Sequence, residues 1–396
     1  MYSNHMCSHS RYKLIEFFVY FFVLFCFVLF CFFFVVKIRM IRSRIPFLFV
    51  KNLFRSRIPS SSMIIRFQSS SSSSSIDLNS MTQSLNSSLL RRAILYVPGN
   101  DQRKIDKAIK SFDKIDSIVL DCEDGVAVKS KDDARKTILK ILNQHGSNEL
   151  LWKKLSVRIN SMDSGIAVED LAIIFSGKII PRTILLPKVD TKSNIDEFFE
   201  YFQKAKINKN IIKHPIDLIT YVESATGLLD LRDIAKHTID MCKSLNDTIN
   251  INFAGIVFGS DDFCANIGAT RSDDGKEVLM ARQHVILVCK SLNLQAIDSV
   301  YINFRDIDGL KRQSEDGASM GFTGKQAIHP DQISVIQEAY RPSDNKIDWA
   351  KGLIDEFEQA QNAGRGAFVY HGQMIDMPLL KQAYNVMNIA KQIGKA

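Results

Sequence analysis

Between Glu16 and Asp77 the sequence contains no aspartate or glutamate. The same stretch holds eight positive charges, Lys37, Arg39, Arg42, Arg44, Lys51, Arg55, Arg57 and Arg66, and residues 1–36 add one more. The whole chain carries +8, so residues 77–396 stand at −1. The basic balance belongs to a leader, and the body offers no charge excess to nucleic acid or to a membrane surface. Cysteine pairs are missing as well. None of the seven cysteines forms a C-x-x-C spacing; Cys7, Cys26 and Cys31 fall in the leader, and Cys122, Cys242, Cys264 and Cys289 are scattered. This excludes a disulfide scaffold in favour of packed, free thiols. No G-x-G-x-x-G follows the first strand-like run, which removes the dinucleotide-binding fingerprint. What is present is 396 residues with 46% apolar and 24% charged side chains. That supports a large packed core and excludes a wholly disordered, collagen-like or coiled-coil chain.

Phe17 to Val36 is an unbroken apolar run of 20 residues, ten of them Phe, long enough to span a bilayer. From Met40 to Gln68 the chain is rich in Arg and Ser and interleaves Ile, Phe and Leu among the charges. That is the composition of a mitochondrial targeting peptide, a basic amphipathic helix drawn inward by membrane potential. Ser69 to Ser75 is a low-complexity spacer. Two readings of residues 1–39 stay open: a membrane anchor, or a segment upstream of a functional start at Met40. The second is favoured, because Met40 opens a complete presequence. The expected organisation is an apolar segment at 1–39, a targeting peptide and linker at 40–88, a catalytic domain at 89–330 and a C-terminal helical extension and lid at 331–396. It implies a matrix protein with no stable membrane association once mature.

After Ser88, strand-like runs alternate with amphipathic stretches. Eight runs read as strands: 93–97, 117–121, 155–159, 183–187, 217–222, 255–258, 296–301 and 322–328. Between them Ala134, Ile138, Ile141 and Leu142 recur at helical spacing on one face. Near-continuous apolar strands separated by helices imply a parallel sheet buried on both sides. Eight such units in about 240 residues fit an α/β fold of the (β/α)8 TIM-barrel type, followed by helices. Six runs end in polar groups: Pro98-Gly99-Asn100, the Asp121–Asp124 segment, Arg158-Ile159-Asn160, Pro187-Lys188, Glu223-Ser224 and Asp261-Asp262. Catalytic residues of a barrel come from the C-terminal ends of several strands.

Glu223 and Asp262 follow neighbouring strands five and six, so both can reach one cation near the axis. Two carboxylates completed by substrate oxygens and water are a habitual magnesium arrangement. The competing reading makes each acid a helix N-cap. Arg158 presents a planar fork suited to a carboxylate or a thioester oxyanion; a structural ion pair with Asp121 or Glu123 is equally open. Arg103 and Lys107 share one face of the first helix, as a solvated pair would. Asp376 sits among apolar neighbours outside the barrel and could cap the last helix. A lone His329 before Pro330 reads as a hydrogen-bonded positioning group. Cys122 has no His partner in its segment, so nucleophilic catalysis is not expected.

The segments RRAILYVPGN (91–100), LDCEDGV (120–126), VRIN (157–160), LPK (186–188), VESA (222–225), GFTGK (321–325) and MIDMP (374–378) resemble the citrate lyase β-subunit family, in family order over about 91–394. The resemblance implies a magnesium-dependent barrel enzyme, a homotrimer, cleaving (3S)-citramalyl-CoA to acetyl-CoA and pyruvate. Relatives act on malyl-CoA, as lyase or thioesterase, or run in the synthase direction. By resemblance Glu223 and Asp262 are the Mg2+ ligands and Arg158 contacts substrate. Arg103 and Lys107 then suit the phosphates of a CoA thioester, with Tyr96 completing the patch, and Ile328 and His329 contact substrate. Asp376 becomes the general acid/base, delivered by a neighbouring subunit. The loop Gly259-Ser260-Asp261-Asp262 departs from the Gly-Gly-Glu-Asp of relatives, which leaves Asp261 open as a further ligand. The rival reading is a non-catalytic, membrane-anchored CoA-ester sensor or partner subunit of a citrate-lyase-like complex.

Overall fold

The computed structural model describes residues 89–205, 215–245, 249–362, 368–375 and 377–395. The segments 1–39 and 40–88, which hold the apolar run and the expected targeting peptide, lie outside the described residues, as does Asp376. Eight parallel strands close into a barrel in sequence order: β1 (Ala93–Pro98), β2 (Ser117–Asp121), β3 (Leu155–Arg158), β4 (Thr183–Leu186), β5 (Ile216–Val222), β6 (Ile251–Phe258), β7 (Gln295–Asp298) and β8 (Gly324–Ala327). The ladder closes where Ala93 to Leu95 pair with Lys325 to Ala327. These are the eight expected strands. The sixth starts four residues earlier than the sequence suggests, because the β5–β6 register slips at Leu218/Ile219 and a bulge interrupts the side-chain alternation.

The helices that follow the strands are α1 (Gln102–Lys110), α2 (Lys131–His145), α3 (Glu149–Trp152), α4 (Ala167–Ile174), α5 (Lys192–Lys204), α6 (Ala225–Leu229), α7 (Leu231–Leu245), α8 (Ser260–Ile267), α9 (Leu279–Ser291), α10 (Ile307–Met320) and α11 (Gln332–Ala339). Ala134, Ile138, Ile141 and Leu142 of α2 are fully buried in the layer between helices and barrel, with Ile118, Leu120, Val157 and Ile184 from the strands. Truncating one such aliphatic side chain to Ala costs about 2–5 kcal/mol. The opposite parity fills the barrel interior: Ile94, Val119, Leu185, Ile219, Tyr221, Val257 and Ile297. Cys122, Cys242, Cys264 and Cys289 are buried and free.

The two ends of the barrel differ. At the N-terminal end, Arg91 donates to Asp217 (2.6 Å), Thr183 (2.8 Å) and Gln295 (2.9 Å), a buried polar plug. At the C-terminal end the inward parity delivers Tyr96, Asp121, Arg158 and Glu223 toward one mouth, since side chains two apart on a strand share a face.

Beyond the barrel come α12 (Asp344–Asn362), a hairpin of β9 (Phe368–Tyr370) with β10 (Gln373–Ile375), and α13 (Met377–Gln392). Ile347, Ala350 and Leu353 of α12 form a second small core with Leu380, Ala383 and Val386 of α13. The sequence suggested three helical stretches split by a turn-rich segment; the helices are present, and the segment holds a hairpin. Its strands have three residues each, too few for an alternation to register. The turn is legible afterwards: His371 (φ 48°) and Gly372 (φ 78°) are both left-handed, as a two-residue hairpin turn requires. Among the described residues no helix is long and apolar enough to cross a membrane.

Candidate active site

Arg158 ends β3 facing the barrel interior, and Asp121 ends the neighbouring strand. The two meet in a bidentate pair, Nε to Oδ1 and Nη2 to Oδ2, both 2.7 Å. A second terminal nitrogen reaches Glu123 Oε2 at 2.8 Å. Two of the five guanidinium N–H bonds are thus committed to Asp121, and the terminal nitrogens keep the other three. The guanidinium also lies over the rings of Tyr96 (5.1 Å) and Tyr221 (5.9 Å), whose hydroxyls bond to each other. Burial raises both phenols well above their ordinary range, so they are neutral donors and acceptors. The ion pair with Asp121 and Glu123 is real, and it orients the arginine without exhausting it.

The loop after β2 is shaped by the same aspartate. Asp121 accepts from the backbone N–H of Glu123 (2.9 Å) and of Gly125 (3.0 Å), and a Cβ on Gly125 would strike its carboxylate. Lys131 of α2 braces the loop from behind, donating to the carbonyls of Cys122 and Glu123 and to Asn160 Oδ1 at 2.7–2.8 Å.

Glu223 and Asp262 converge on Lys188. The backbone N–H of Lys188 donates to Glu223 Oε2 (3.1 Å), and its ammonium lies 3.1 Å from Asp262 Oδ2 and 3.2 Å from Asp124 Oδ1, in contact with Glu123 as well. Neither ligand candidate is a helix cap. Ser224 caps α6, accepting from the Gly227 N–H, and Asp262 lies inside the first turn of α8, whose N-cap is Gly259. Gly259 is required there, since a Cβ would collide with the Glu223 side chain. Asp261 turns to an ion pair with Arg271. Burial, then the charges of Glu123 and Asp262, push Glu223 up to about 8.

This cluster fits a divalent cation. Glu223, buried and crowded by Glu123 and Asp262, is costly to ionise there, and a divalent ion beside it would offset that cost. The Lys188 ammonium contacts Asp262, one of the two carboxylates that would hold such an ion. Among the described residues no group of three or more His, Cys, Asp or Glu side chains is set for a metal. Two protein carboxylates with water and substrate completing the shell is a magnesium habit rather than that of a closed structural site.

The remaining candidates are distributed around the mouth. Tyr96, which the resemblance made part of the CoA patch with Arg103 and Lys107, points into the barrel against Tyr221 and Arg158. Arg103 and Lys107 are both exposed on α1, and neither forms an ion pair among the described residues. Ile328 is 43% exposed after β8. Its N–H and that of His329 both donate to Gln332 Oε1 (2.9 and 3.2 Å), while Gln332 donates to the Tyr301 carbonyl. The His329 carbonyl also accepts from the Gln332 N–H (3.1 Å), so the exposed Ile328 side chain is the part of this dipeptide most open to a ligand. The His329 ring stacks on Phe304 (4.7 Å), and its Nδ1 accepts from the Asp331 N–H at 3.3 Å. Sequence reasoning assigned no role to Lys188 or Tyr221. The parity rule could have found Tyr221, two residues before Glu223; nothing in the order of residues announces that Lys188 folds back over the acids.

Residues 92–330 match the HpcH/HpaI aldolase/citrate lyase family. The mitochondrial citramalyl-CoA lyase of Homo sapiens is 45% identical over 303 residues, 76% of this chain and 86% of that protein. The citrate lyase subunit beta of Leuconostoc mesenteroides subsp. cremoris is 29% identical over 308 residues, 77% of this chain and 95% of that one. Among solved structures, the CitE protein of Mycobacterium tuberculosis, in complex with magnesium, acetoacetate and coenzyme A, is 26% identical with a TM-score of 0.57, covering 76% of this chain and 98% of its own. The barrel, the acids at its mouth and these matches agree: the chain belongs to the HpcH/HpaI aldolase/citrate lyase family.

Proposed function

We propose that this chain is a magnesium-dependent carbon–carbon lyase that cleaves (3S)-citramalyl-CoA to acetyl-CoA and pyruvate. The observation that carries the reading is that Glu223 and Asp262 both contact Lys188, the first at its backbone N–H and the second at its ammonium, at a mouth that also holds Arg158. The 45% identity to a citramalyl-CoA lyase and the magnesium and coenzyme A held by a structural relative support the substrate class and the cofactor.

Glu223 and Asp262 hold the metal in this reading, and bound Mg2+ supplies Lewis-acid polarisation of the oxygens on the pyruvyl half. Arg158, locked by Asp121, offers uncommitted N–H bonds of its terminal nitrogens to the thioester oxygen, where negative charge develops as the carbon–carbon bond breaks. The paired tyrosines beneath it close the site toward the barrel interior. Arg103 and Lys107, exposed on the helix after β1, receive CoA phosphates. Ile328 and His329 line the acyl arm. Asp376 serves as general acid/base, delivering a proton to the carbon that becomes the acetyl methyl.

The finer assignments follow the same reading: a homotrimer in the mitochondrial matrix, with residues 40–88 as targeting peptide and linker and Asp376 reaching a neighbouring subunit's mouth. Exposed Met280 and Leu287, seven residues apart on one face of α9, with Leu229 on α6, support a subunit contact. Val369 and Met374 lie directly opposite each other on the hairpin before Asp376, and both are exposed. The test is a steady-state comparison of (3S)-citramalyl-CoA with malyl-CoA, following the keto acid released. Preferential pyruvate release from citramalyl-CoA is expected; no keto acid from either thioester contradicts the reading.

A further inference from the structure

Lys188 is unusual in three respects at once. Its backbone is left-handed (φ 53°), a conformation that a residue with a side chain rarely holds without compensation. Its N–H fixes Glu223 and its ammonium fixes Asp262, so one residue grips both acids that the metal would need. The ammonium also contacts Glu123 and stands 3.2 Å from Asp124, which gives it a second pair of partners if it leaves Asp262.

We propose that Lys188 is the internal counter-ion of the metal site: its ammonium holds Asp262 against the rest of the acid cluster in the metal-free protein and yields that carboxylate to the incoming divalent cation. The assignment rests on the reading of Glu223 and Asp262 as metal ligands. Without a cation at that point the cluster would carry crowded carboxylates at partly buried positions, an arrangement that raises the free energy of the fold. With the ammonium in place the ligands stay gathered and the mouth keeps its shape. The ion therefore enters by exchange. Lys188 moves its ammonium toward Glu123 and Asp124, while its N–H remains on Glu223. Such a site binds its metal more weakly than an unoccupied one, because the lysine–aspartate contact is lost on binding.

The consequence is opposite to that of an ordinary structural lysine. In Lys188→Met the competing charge is gone, so affinity for Mn2+, used as the spectroscopic probe and measured on the full-length protein by electron paramagnetic resonance, should rise about tenfold, equivalent to ~1.4 kcal/mol. The metal-free variant should melt below the wild type, and saturating Mg2+ should raise its melting temperature by more than it raises that of the wild type. Lys188→Gly is the companion, since glycine adopts the left-handed turn without strain while also removing the ammonium; it too should bind Mn2+ more tightly. Unchanged or weaker Mn2+ affinity in both variants, with the wild type binding normally, overturns the counter-ion. A wild-type protein that takes up no Mn2+ overturns the metal site itself and the assignment with it.

Discussion

Arg158 is held by a geometry only a guanidinium can make, two parallel bonds to Asp121 beside an ion pair with Glu123. Lysine keeps the charge and loses the fork. Arg158→Lys is expected to lower kcat/KM by about 100-fold while leaving Mn2+ affinity near wild type, because the arginine does not touch Glu223 or Asp262. A parallel loss of metal binding would show that Arg158 supports the ion instead. Glu223 argues from the other side. It is buried, crowded by Glu123 and Asp262, and so expensive to keep ionised in the metal-free protein. Glu223→Gln should abolish Mg2+-dependent stabilisation yet leave the metal-free protein at least as stable as wild type in thermal melts. A lower melting temperature without metal would mean that the carboxylate serves the fold rather than the ion.

Elements carry the next tier of consequences. Gly259 joins β6 to α8 at the point where Glu223 leans across, and its backbone (φ −91°) is one that alanine also adopts. Gly259→Ala should therefore fold and bind Mg2+ more weakly by about tenfold or more, as calorimetry would report, since a displaced ligand loses at least ~1.4 kcal/mol. On the outer side of β7 and β8, Lys325 is fully buried against Asp298 (3.4 Å) and Gln313 (2.7 Å), with Arg282 chelating the same aspartate. Burial lowers Lys325 to about 8, against the pull of Asp298. Between there and the unfolded value near 10.4, the unfolded chain holds a proton that the folded chain has released, so stability rises with pH through that window. Relative to Lys325→Met, urea stability of the wild type should climb by about 2 kcal/mol from pH 8 to 10.5; a flat difference would place the ammonium on the surface. Much of this architecture was legible in the sequence. The eight strands followed from short apolar runs and the α2 face from helical period, and the positions of Glu223, Asp262 and Arg158 at the mouth from their places near strand ends, their roles from the family resemblance. The β9–β10 hairpin and the bulge in β6 were not, because three-residue strands and broken alternation carry no period. Tyr96 was grouped with Arg103 and Lys107 as part of one patch, whereas it contacts Tyr221 and Arg158. Lys188 depends on a left-handed turn that no local pattern requires.

At the scale of the whole molecule the proposal divides the chemistry between subunits. Glu223, Asp262 and Arg158 belong to one barrel mouth, and Asp376 is assigned to the lid of a neighbour. Mixed assemblies of Asp376→Asn and Glu223→Gln subunits, each inactive alone, should regain activity through sites that combine an intact mouth with an intact lid. No recovery from co-expressed, co-assembled variants would confine each site to one chain. The central claim is that the acid cluster exists to hold one divalent ion for the cleavage of a CoA thioester, and the direct measurement is pyruvate release from (3S)-citramalyl-CoA by metal-stripped full-length protein as Mg2+ is titrated back. The account predicts turnover that is absent in chelator, rises to saturation with Mg2+ and is lost in the Glu223→Gln, Asp262→Asn double variant. Full activity in chelator, or in the double variant, would contradict it.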